Sequence, residues 1–556
     1  MHSCFVIFFA ICAVAFADTL PNVKIDPSTH GFVDELGRTR IFHGMNAVYK
    51  SAPWHPDVEG FDPLNSLSDI DAKNMQGWGF NIVRLGVMWP GVEPTKGQYN
   101  STYLDQLELI VKNLADSGVY VILDFHQDLW HRKFCGEGVP DYVYETCVNE
   151  EPDYKVIKSD FPQPAVDATY PADVDGNPNI DSCLSVGFAT YYLSAEVGAG
   201  FQCLYDNKDG LWDSFASYWQ VVASRFSGYP SVLGYELINE PWIGDVYEDP
   251  RRFLPGHTEK DFLQPMYQHV AKRIREVDDE KIIFYEGLTI DYWPIGFQET
   301  PGGAEYDDRQ ALSYHIYCPL NGTSAETEVV CDVVNSELFN NRQRDVERLG
   351  GGWLMTEFGA SRDIKGDMYA LNYLCEKMDM HQQSWMYWQY KYYNDITTCT
   401  PEGEALYLNN GTVAQDKLRV LSRTYPEVTA GTLLNYSFHV ELTGMFTMNY
   451  QPWVGSASTS AIDSPLARVS SVYYNEELYY PKGVHVKLSY SDVTSGQSID
   501  DTDLPEGTLV EVLCRDHRNV DLIQSASTAE AAQNIAVKVV ISPCVSSNRL
   551  TCTCMA

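Results

Sequence analysis

Two short stretches carry residue types that do chemistry as a pair. One is "ELINEP" at 236–241, with Asn239 and Glu240; the other is "TEFG" at 356–359, with Glu357. Cutting a glycosidic bond takes two carboxyl groups flanking it, one holding a proton for the leaving oxygen and one ionised. An isolated glutamate is usually a solvated surface residue or an ion-pair partner. Both of these, however, follow long apolar runs, and Asn239 is placed to hold a sugar 2-hydroxyl. A nucleophilic carboxylate must stay ionised, and His315, Tyr317 and Arg84 are candidates to donate hydrogen bonds or positive charge that lower the pKa of Glu357. The acid must keep its proton near neutrality, which a partly desolvated site with a second carboxylate favours. Retention of configuration needs the two groups roughly 5 Å apart, and inversion needs more.

Further candidates close similar runs. His126 and Asp128 in "FHQD" are suited to sugar hydroxyls, or to pairing with each other and nothing else. Trp388 offers a flat face to a sugar ring, whereas Trp385 and Trp89 read equally well as core. Arg84 sits inside its run, where a structural ion pair is a serious rival reading. Glu286 and Asn46 are weaker, supporting candidates. A metal would need a third ligand at suitable spacing, and neither an HExxH motif nor a Cys-rich cluster supplies one, so no metal or other cofactor is expected.

The elements that must position these residues follow one rhythm from about 40 to 391. Apolar, β-rich runs lie at 41–49, 80–89, 119–128, 232–241, 282–287, 311–317, 352–359 and 384–391. Most are nearly continuous apolar stretches, as strands buried on both faces should be. Amphipathic stretches such as 102–117 and 260–277 fall between them. Eight such alternations predict an α/β fold, a (β/α)8 barrel whose chemistry sits at the C-terminal ends of its strands. The polar candidates lie at those ends and would converge on one mouth. A Cys-, Pro- and Tyr-rich insertion at 130–205 interrupts the rhythm, to shape a substrate cleft or simply to be tied down by disulfides. After about 425, period-two runs separated by turn clusters predict a β-sandwich. The expected division is therefore a leader at 1–17, a barrel domain at 18–424 and a sandwich domain at 425–556.

Composition narrows the partners. With 39 Lys and Arg against 76 Asp and Glu, the net charge is −37, which repels phosphate backbones and anionic lipid and excludes nucleic acid. The 36 Tyr and 12 Trp suit sugar faces, although large cores use them too. Cys4 to Ala17 forms an apolar run ending in an A-x-A cleavage signal, too short to span a bilayer. A secreted or lumenal chain is expected, with its remaining cysteines in disulfides. The sequence leaves the pairing open, local pairs such as Cys135–Cys147, Cys183–Cys203 and Cys318–Cys331 being examples, while Cys514, Cys544, Cys552 and Cys554 look like staples of the C-terminal module. Sequons at Asn100, Asn321, Asn410 and Asn435 agree with secretion.

"NEP" after the fourth run and "EFG" after the seventh look like the clan-A glycoside hydrolases, family 5. Together, "RLGVMWPGVEP", "DFHQD", "ELINEPW", "SYHIYC" and "TEFGA" resemble the endoglycoceramidase branch of that family. The resemblance implies a retaining enzyme with Glu240 as acid/base and Glu357 as nucleophile. It also matches Lys50 to a lysine that this branch uses toward the glucose, although a loop lysine is most often merely solubilising. The implied substrate is a glycosphingolipid, with transient membrane contact and no obligate protein partner. Two alternatives stand beside it: another family 5 β-glycanase (a glucanase or mannanase), and a carbohydrate-binding protein without catalysis. The leaving-group side of the cleft separates the first pair, being apolar for ceramide and polar with stacked aromatics for a glycan. The non-catalytic reading requires a replaced glutamate, and both are present.

Overall fold

The computed structural model describes residues 20–148, 161–289, 292–317, 325–397, 403–440, 444–452, 464–500, 503–504, 510–515, 518–524, 534–544 and 554. The expected leader, Asn321 and Cys318 lie outside them. All eight runs form strands: His43–Ala47, Ile82–Gly86, Tyr120–Asp124, Val232–Glu236, Ile282–Glu286, Gln310–Ile316, Gly352–Phe358 and Trp385–Tyr387. They are parallel and closed into a barrel, the eighth pairing with the first through Trp385 opposite His43 and Met386 opposite Gly44.

The two-residue period of a strand sorts its side chains between the barrel interior and the helical layer outside. Ile82, Ile122, Phe284, Ala311, Leu354 and Met386 form the apolar floor of the interior. Their neighbours Val83, Leu123, Tyr285, Leu312, Met355 and Tyr387 pack outward against the helices. Two residues beyond the floor, the same inward parity presents Arg84, Asp124, Glu286 and Trp388. The mouth is thus the continuation of the core's own alternation. Strand seven breaks parity with a register shift between Met355 and Glu357, and this brings both Thr356 and Glu357 to the interior.

Outside the barrel, the helix Ser101–Asp116 buries Leu104, Leu107, Val111 and Leu114 at i, i+3, i+4 spacing. The Asn100 side chain caps it by accepting from the Tyr103 amide. The amphipathic stretch near 260 becomes a π turn at Glu259–Leu263 followed by the helix Gln264–Arg275.

The C-terminal strands form a sandwich. A seven-stranded sheet and a five-stranded sheet, both antiparallel, share one core in which Tyr425, Val472 and Leu522 of the first meet Phe446, Val537 and Ile541 of the second. The N-terminal strands Val23–Asp26, Gly31–Asp34 and Thr39–Arg40 belong to the seven-stranded sheet, Thr39–Arg40 pairing with Tyr425–Thr429. The chain thus crosses the expected 424/425 division at its start, and Val23, Ile25 and Phe32 close the bottom of the barrel floor. His43 stacks between Trp385 of the barrel and Tyr425 of the sandwich, and a buried Arg423–Asp379 pair ties the same junction.

Disulfide pairing corrects the local assignment. Cys135 joins Cys183 and Cys147 joins Cys203, so the bridges interlock along the insertion. The same insertion holds an aromatic cluster in which Phe134 meets Tyr144 and Phe161, and Phe161 meets Tyr191. Cys514 joins Cys554, as a C-terminal staple requires. Cys375 is a buried free thiol, against the expectation that every remaining cysteine pairs.

Candidate active site

Glu357, at the end of barrel strand seven, is 5% exposed and is held from three sides. Arg84 Nη1 donates to its Oε1 at 2.5 Å, Tyr317 donates its hydroxyl to Oε2 at 2.9 Å, and the His315 ring lies 3.5 Å away. Each contact expected for Glu357 is therefore present. The expected depression of its pKa is not: burial dominates and raises it, although His315 and Arg84 pull the other way.

Glu240 follows strand four with its backbone in the left-handed region, φ 39°, which costs a non-glycine residue roughly 1–2 kcal/mol. Its surroundings hold that conformation. Glu286 Oε2 accepts from the Glu240 amide at 2.7 Å, and Gln127 Nε2 donates to the carbonyls of Asn239 and Glu240 at 2.8 and 2.9 Å. The Glu240 side chain meets His315 Nδ1 at 2.7 Å. One oxygen of Glu240, a ring nitrogen of His315 and one oxygen of Glu357 all lie within 4.8 Å of one another. Two carboxyls at that separation leave no room for a water between them and a sugar, which is the retaining arrangement.

His315 bridges the pair. Burial works against its charge, but Glu286, Glu357 and Glu240 outweigh it and push its pKa up to about 10. As an imidazolium it donates from both nitrogens, to Glu240 and to Thr356 Oγ1 at 3.1 Å. Burial also holds Glu286 well above the ordinary carboxylate range, helped by Glu240 and Glu236.

Arg84 satisfies both readings of it. It contacts Glu357, and it is also a buried structural hub, paired with Glu236 and Asp124, donating to Asn239 Oδ1 at 2.8 Å and to Asn46 Oδ1 at 3.1 Å. Asn46 in turn donates to the Thr356 carbonyl at 2.9 Å, which fixes the strand just before Glu357. Asn239 donates to the Gln127 carbonyl at 3.0 Å.

A second cluster lies beside the first. Lys50 is fully buried, 2.5 Å from Asp128, 3.2 Å from Asp395 and 4.7 Å from the centre of the Trp388 ring. Burial opposes its charge, yet Asp128, Asp395 and Glu137 raise its pKa well above the usual lysine value. His126 donates toward Asp124 at 2.9 Å and lies stacked 5.1 Å from Trp388, and its other nitrogen is 3.6 Å from Asp128. The indole N–H of Trp388 reaches Glu404 at 3.2 Å, and burial pushes Glu404 up to about 8. Trp89 and Trp385 are fully buried in the core. The donor trio His126, Asp128 and Glu137 is compact enough for a metal, but the Lys50 ammonium already lies against Asp128 and 3.9 Å from Glu137. A cation there would have to displace a buried one.

With this geometry in view, the relatives fall into place. Residues 44–394 match the cellulase (glycosyl hydrolase family 5) domain, and residues 423–539 match the glycoside hydrolase family 5 C-terminal domain. This chain belongs to glycoside hydrolase family 5. The hydrolase is 37% identical over 482 residues to an endoglycoceramidase of Cyanea nozakii, covering 86% of this chain and 89% of that one. It is 36% identical to an endoglycoceramidase of Hydra vulgaris, covering 84% and 83%. Its fold is that of endo-glycoceramidase II from Rhodococcus sp., solved in complex with ganglioside GM3, with a TM-score of 0.68 at 22% identity over 92% of this chain and 98% of that one.

Several residues of the hydrolase's site escape the reading of motifs. Asp124 and Glu236 bind Arg84 from inside the quoted motifs, and counting inward parity from Ile122 finds Asp124. Gln127 lies between two named candidates. Asp395 and Glu404 come from the loop after strand eight, where no periodicity marks them. The insertion contributes Tyr192, whose hydroxyl accepts from the Leu129 amide at 3.3 Å and whose ring lies 5.0 Å from Trp242, so it walls the cleft next to Glu240. Beyond Glu240, a hollow opens between Leu288, Thr289, Tyr292, Ile316 and Leu338, with Arg342 and His315 also in its lining.

Proposed function

We propose that this enzyme hydrolyses the β-glycosidic bond between the oligosaccharide of a glycosphingolipid and its ceramide, with retention of configuration. Glu357 is the nucleophile and Glu240 the acid and base. In the first step Glu357 attacks the anomeric carbon while Glu240 gives its proton to the ceramide oxygen. Ceramide leaves and an ester to Glu357 remains. Water then enters, Glu240 takes its proton, and the oxygen displaces Glu357 from the same face that ceramide left. Asn239, His126, Asp128, Lys50 and Trp388 line the sugar side of the reacting bond, and Arg84 and Tyr317 orient the nucleophile.

The observation that carries the retaining reading is the approach of Glu240 and Glu357 to within 4.8 Å across the barrel mouth. The ceramide reading rests on relatives of 36–37% identity that are endoglycoceramidases, and the hollow beyond Glu240, where Leu288, Ile316 and Leu338 stand beside Tyr292, Tyr314 and Tyr317, lies on the leaving-group side. Disulfides Cys135–Cys183, Cys147–Cys203 and Cys514–Cys554 support an oxidising, secreted or lumenal setting. Incubation with a ganglioside in detergent should release the intact oligosaccharide and ceramide, separable by thin-layer chromatography, and NMR of the first-formed sugar should show the β-anomer. Release from cellulose or mannan alone would move the enzyme to the glycanases. Glu357→Gln should abolish turnover without unfolding the protein.

A further inference from the structure

A hollow of about 610 Å³ lies at the end of the barrel away from Glu357. Trp353, Ser384 and Ile41 line it at or beside the starts of barrel strands seven, eight and one, whereas Glu357 stands where strand seven ends. The sandwich contributes Phe32 and Leu433, so the hollow sits on the seam between the two domains. Small-molecule sites of roughly 300–1,000 Å³ are commonly found on such seams. Two rings of its lining are held from behind by the core. Trp353 stacks on buried Tyr314, with centroids 6.0 Å apart at 23°, and His381 stacks on buried Phe339 at 5.0 Å and 4°. One face of each ring is thus fixed, and the remainder serves the hollow.

The polar atoms of these rings are uncommitted. Among the described residues neither the Trp353 indole N–H nor the His381 ring has a hydrogen-bond partner, and Arg40 Nε donates to none. Burial and Lys377 push the His381 pKa down, which keeps the ring neutral, with one nitrogen to donate and one to accept. An ion finds less to hold it. Arg40 faces Asp34 at 3.6 Å, Ser28 and Thr29 donate to Asp26, and Gln343 donates to Glu347 at 3.0 Å. Each fixed charge of the lining is therefore already engaged. Flat rings with free neutral donors and acceptors match a neutral pyranose, whose C–H face packs on a ring and whose hydroxyls both give and take hydrogen bonds.

We propose that this seam hollow is a second carbohydrate site, in which Trp353 and His381 hold a neutral mono- or disaccharide apart from the cleft where bonds are cut. Trp353 and Glu357 stand on one strand about 13 Å apart, at roughly 3.3 Å per residue. Neither Glu240 nor Glu357 lines the hollow. For the test, the catalytic cleft is first closed with 2-deoxy-2-fluorolactosyl fluoride, which esterifies Glu357 with loss of fluoride and is read by mass spectrometry. Saturation-transfer NMR with millimolar methyl β-lactoside should still show binding to the labelled enzyme. Thr432→Trp places a bulky ring on an exposed position of the lining and should lower that signal at least fivefold, as should Trp353→Leu. Both variants should keep kcat/KM on an aryl lactoside within twofold before labelling. If Trp353→Leu fails to fold, Thr432→Trp decides alone. Labelling that fails counts against Glu357 as nucleophile, and the fivefold loss in Thr432→Trp is then read on unlabelled enzyme. No signal from labelled wild type, an undiminished signal in Thr432→Trp, or an equal signal from inorganic phosphate or glycerol overturns the proposal.

Discussion

Gln127 touches no reacting atom in the proposed mechanism, yet it holds the backbone on which Glu240 depends. Its Nε2 spans the carbonyls of Asn239 and Glu240, and its Oε1 accepts from the Trp130 amide at 3.0 Å. Gln127→Leu keeps the volume and removes all three bonds, at about 1 kcal/mol each, so global stability should fall by about 3 kcal/mol. The local consequence is more specific. The left-handed conformation of Glu240 costs roughly 1–2 kcal/mol, and the two bonds to its neighbouring carbonyls offset that by about 2 kcal/mol. Without them the Glu240 backbone keeps the contact from Glu286 and its side chain the one from His315, and the population with Glu240 in place should drop by about 10- to 30-fold, at 1.4 kcal/mol per factor of ten. The assay is kcat/KM on two substrates. A glycolipid has a poor leaving group and needs the proton of Glu240, so it should lose that 10- to 30-fold. A dinitrophenyl β-lactoside leaves without a proton, so its kcat/KM should fall less than threefold. Equal losses on both would mean a general disturbance of the barrel mouth. No loss on either would show that the contacts from Glu286 and His315 suffice.

Glu240→Ala should likewise spare kcat/KM on the dinitrophenyl substrate while lowering kcat, and azide should restore kcat with a β-glycosyl azide as product, detectable by mass spectrometry. His315→Gln removes a cation 3.5 Å from Glu357, so protonation of that carboxylate becomes easier and the acidic limb of the kcat/KM profile should move to higher pH by about 1–3 units. Because the pKa of His315 is about 10, its proton contributes stability that is fully present below the ordinary histidine value and lost only as pH rises through about 10. The wild-type loss of thermal stability between pH 8 and 10 should therefore be smaller in the variant. Replacing Cys147 and Cys203 together by serine opens a loop of 56 residues, and a chain-entropy account sets the loss of stability at about 4 kcal/mol, read by thermal unfolding. Neither cysteine is among the groups that hold Glu357, so kcat on an aryl lactoside should be kept below the new melting temperature.

The barrel is legible in the sequence because parallel strands buried on both faces leave unbroken apolar runs, and all eight survive as strands. The site is legible where a functional residue ends such a run, as His126, Glu240, Glu286, His315 and Glu357 do. It fades where the cause is three-dimensional. Asp395 and Glu404 enter from a loop with no period, and only the fold brings them to Lys50 and Trp388. The bridges Cys135–Cys183 and Cys147–Cys203 interlock because the insertion doubles back on itself, whereas spacing favours nearest neighbours. Residues 23–40 fall within the expected barrel domain, but Thr39–Arg40 pair with Val428–Thr429 of the sandwich sheet. The pKa of Glu357 shows a different failure. Its donors are all correctly placed, and the error is one of magnitude, since burial in the barrel outweighs three favourable neighbours.

That magnitude shapes the whole mouth. Arg84 faces Asp124, Glu236 and Glu357; Lys50 faces Asp128, Asp395 and Glu137; His315 faces Glu240, Glu286 and Glu357. Each cation is outnumbered by the carboxyls around it, and a buried carboxylate without its own counter-charge is expensive. The excess is met with protons. Burial raises Glu137 and Glu286 well above the ordinary range and Glu404 to about 8. A proton parked on Glu286 leaves more of the charge of His315 to Glu357, the carboxylate that must stay ionised. A proton on Glu404 leaves Lys50 to Asp128 and Asp395. The surplus of buried acids is therefore a means of concentrating three positive charges on a few of them.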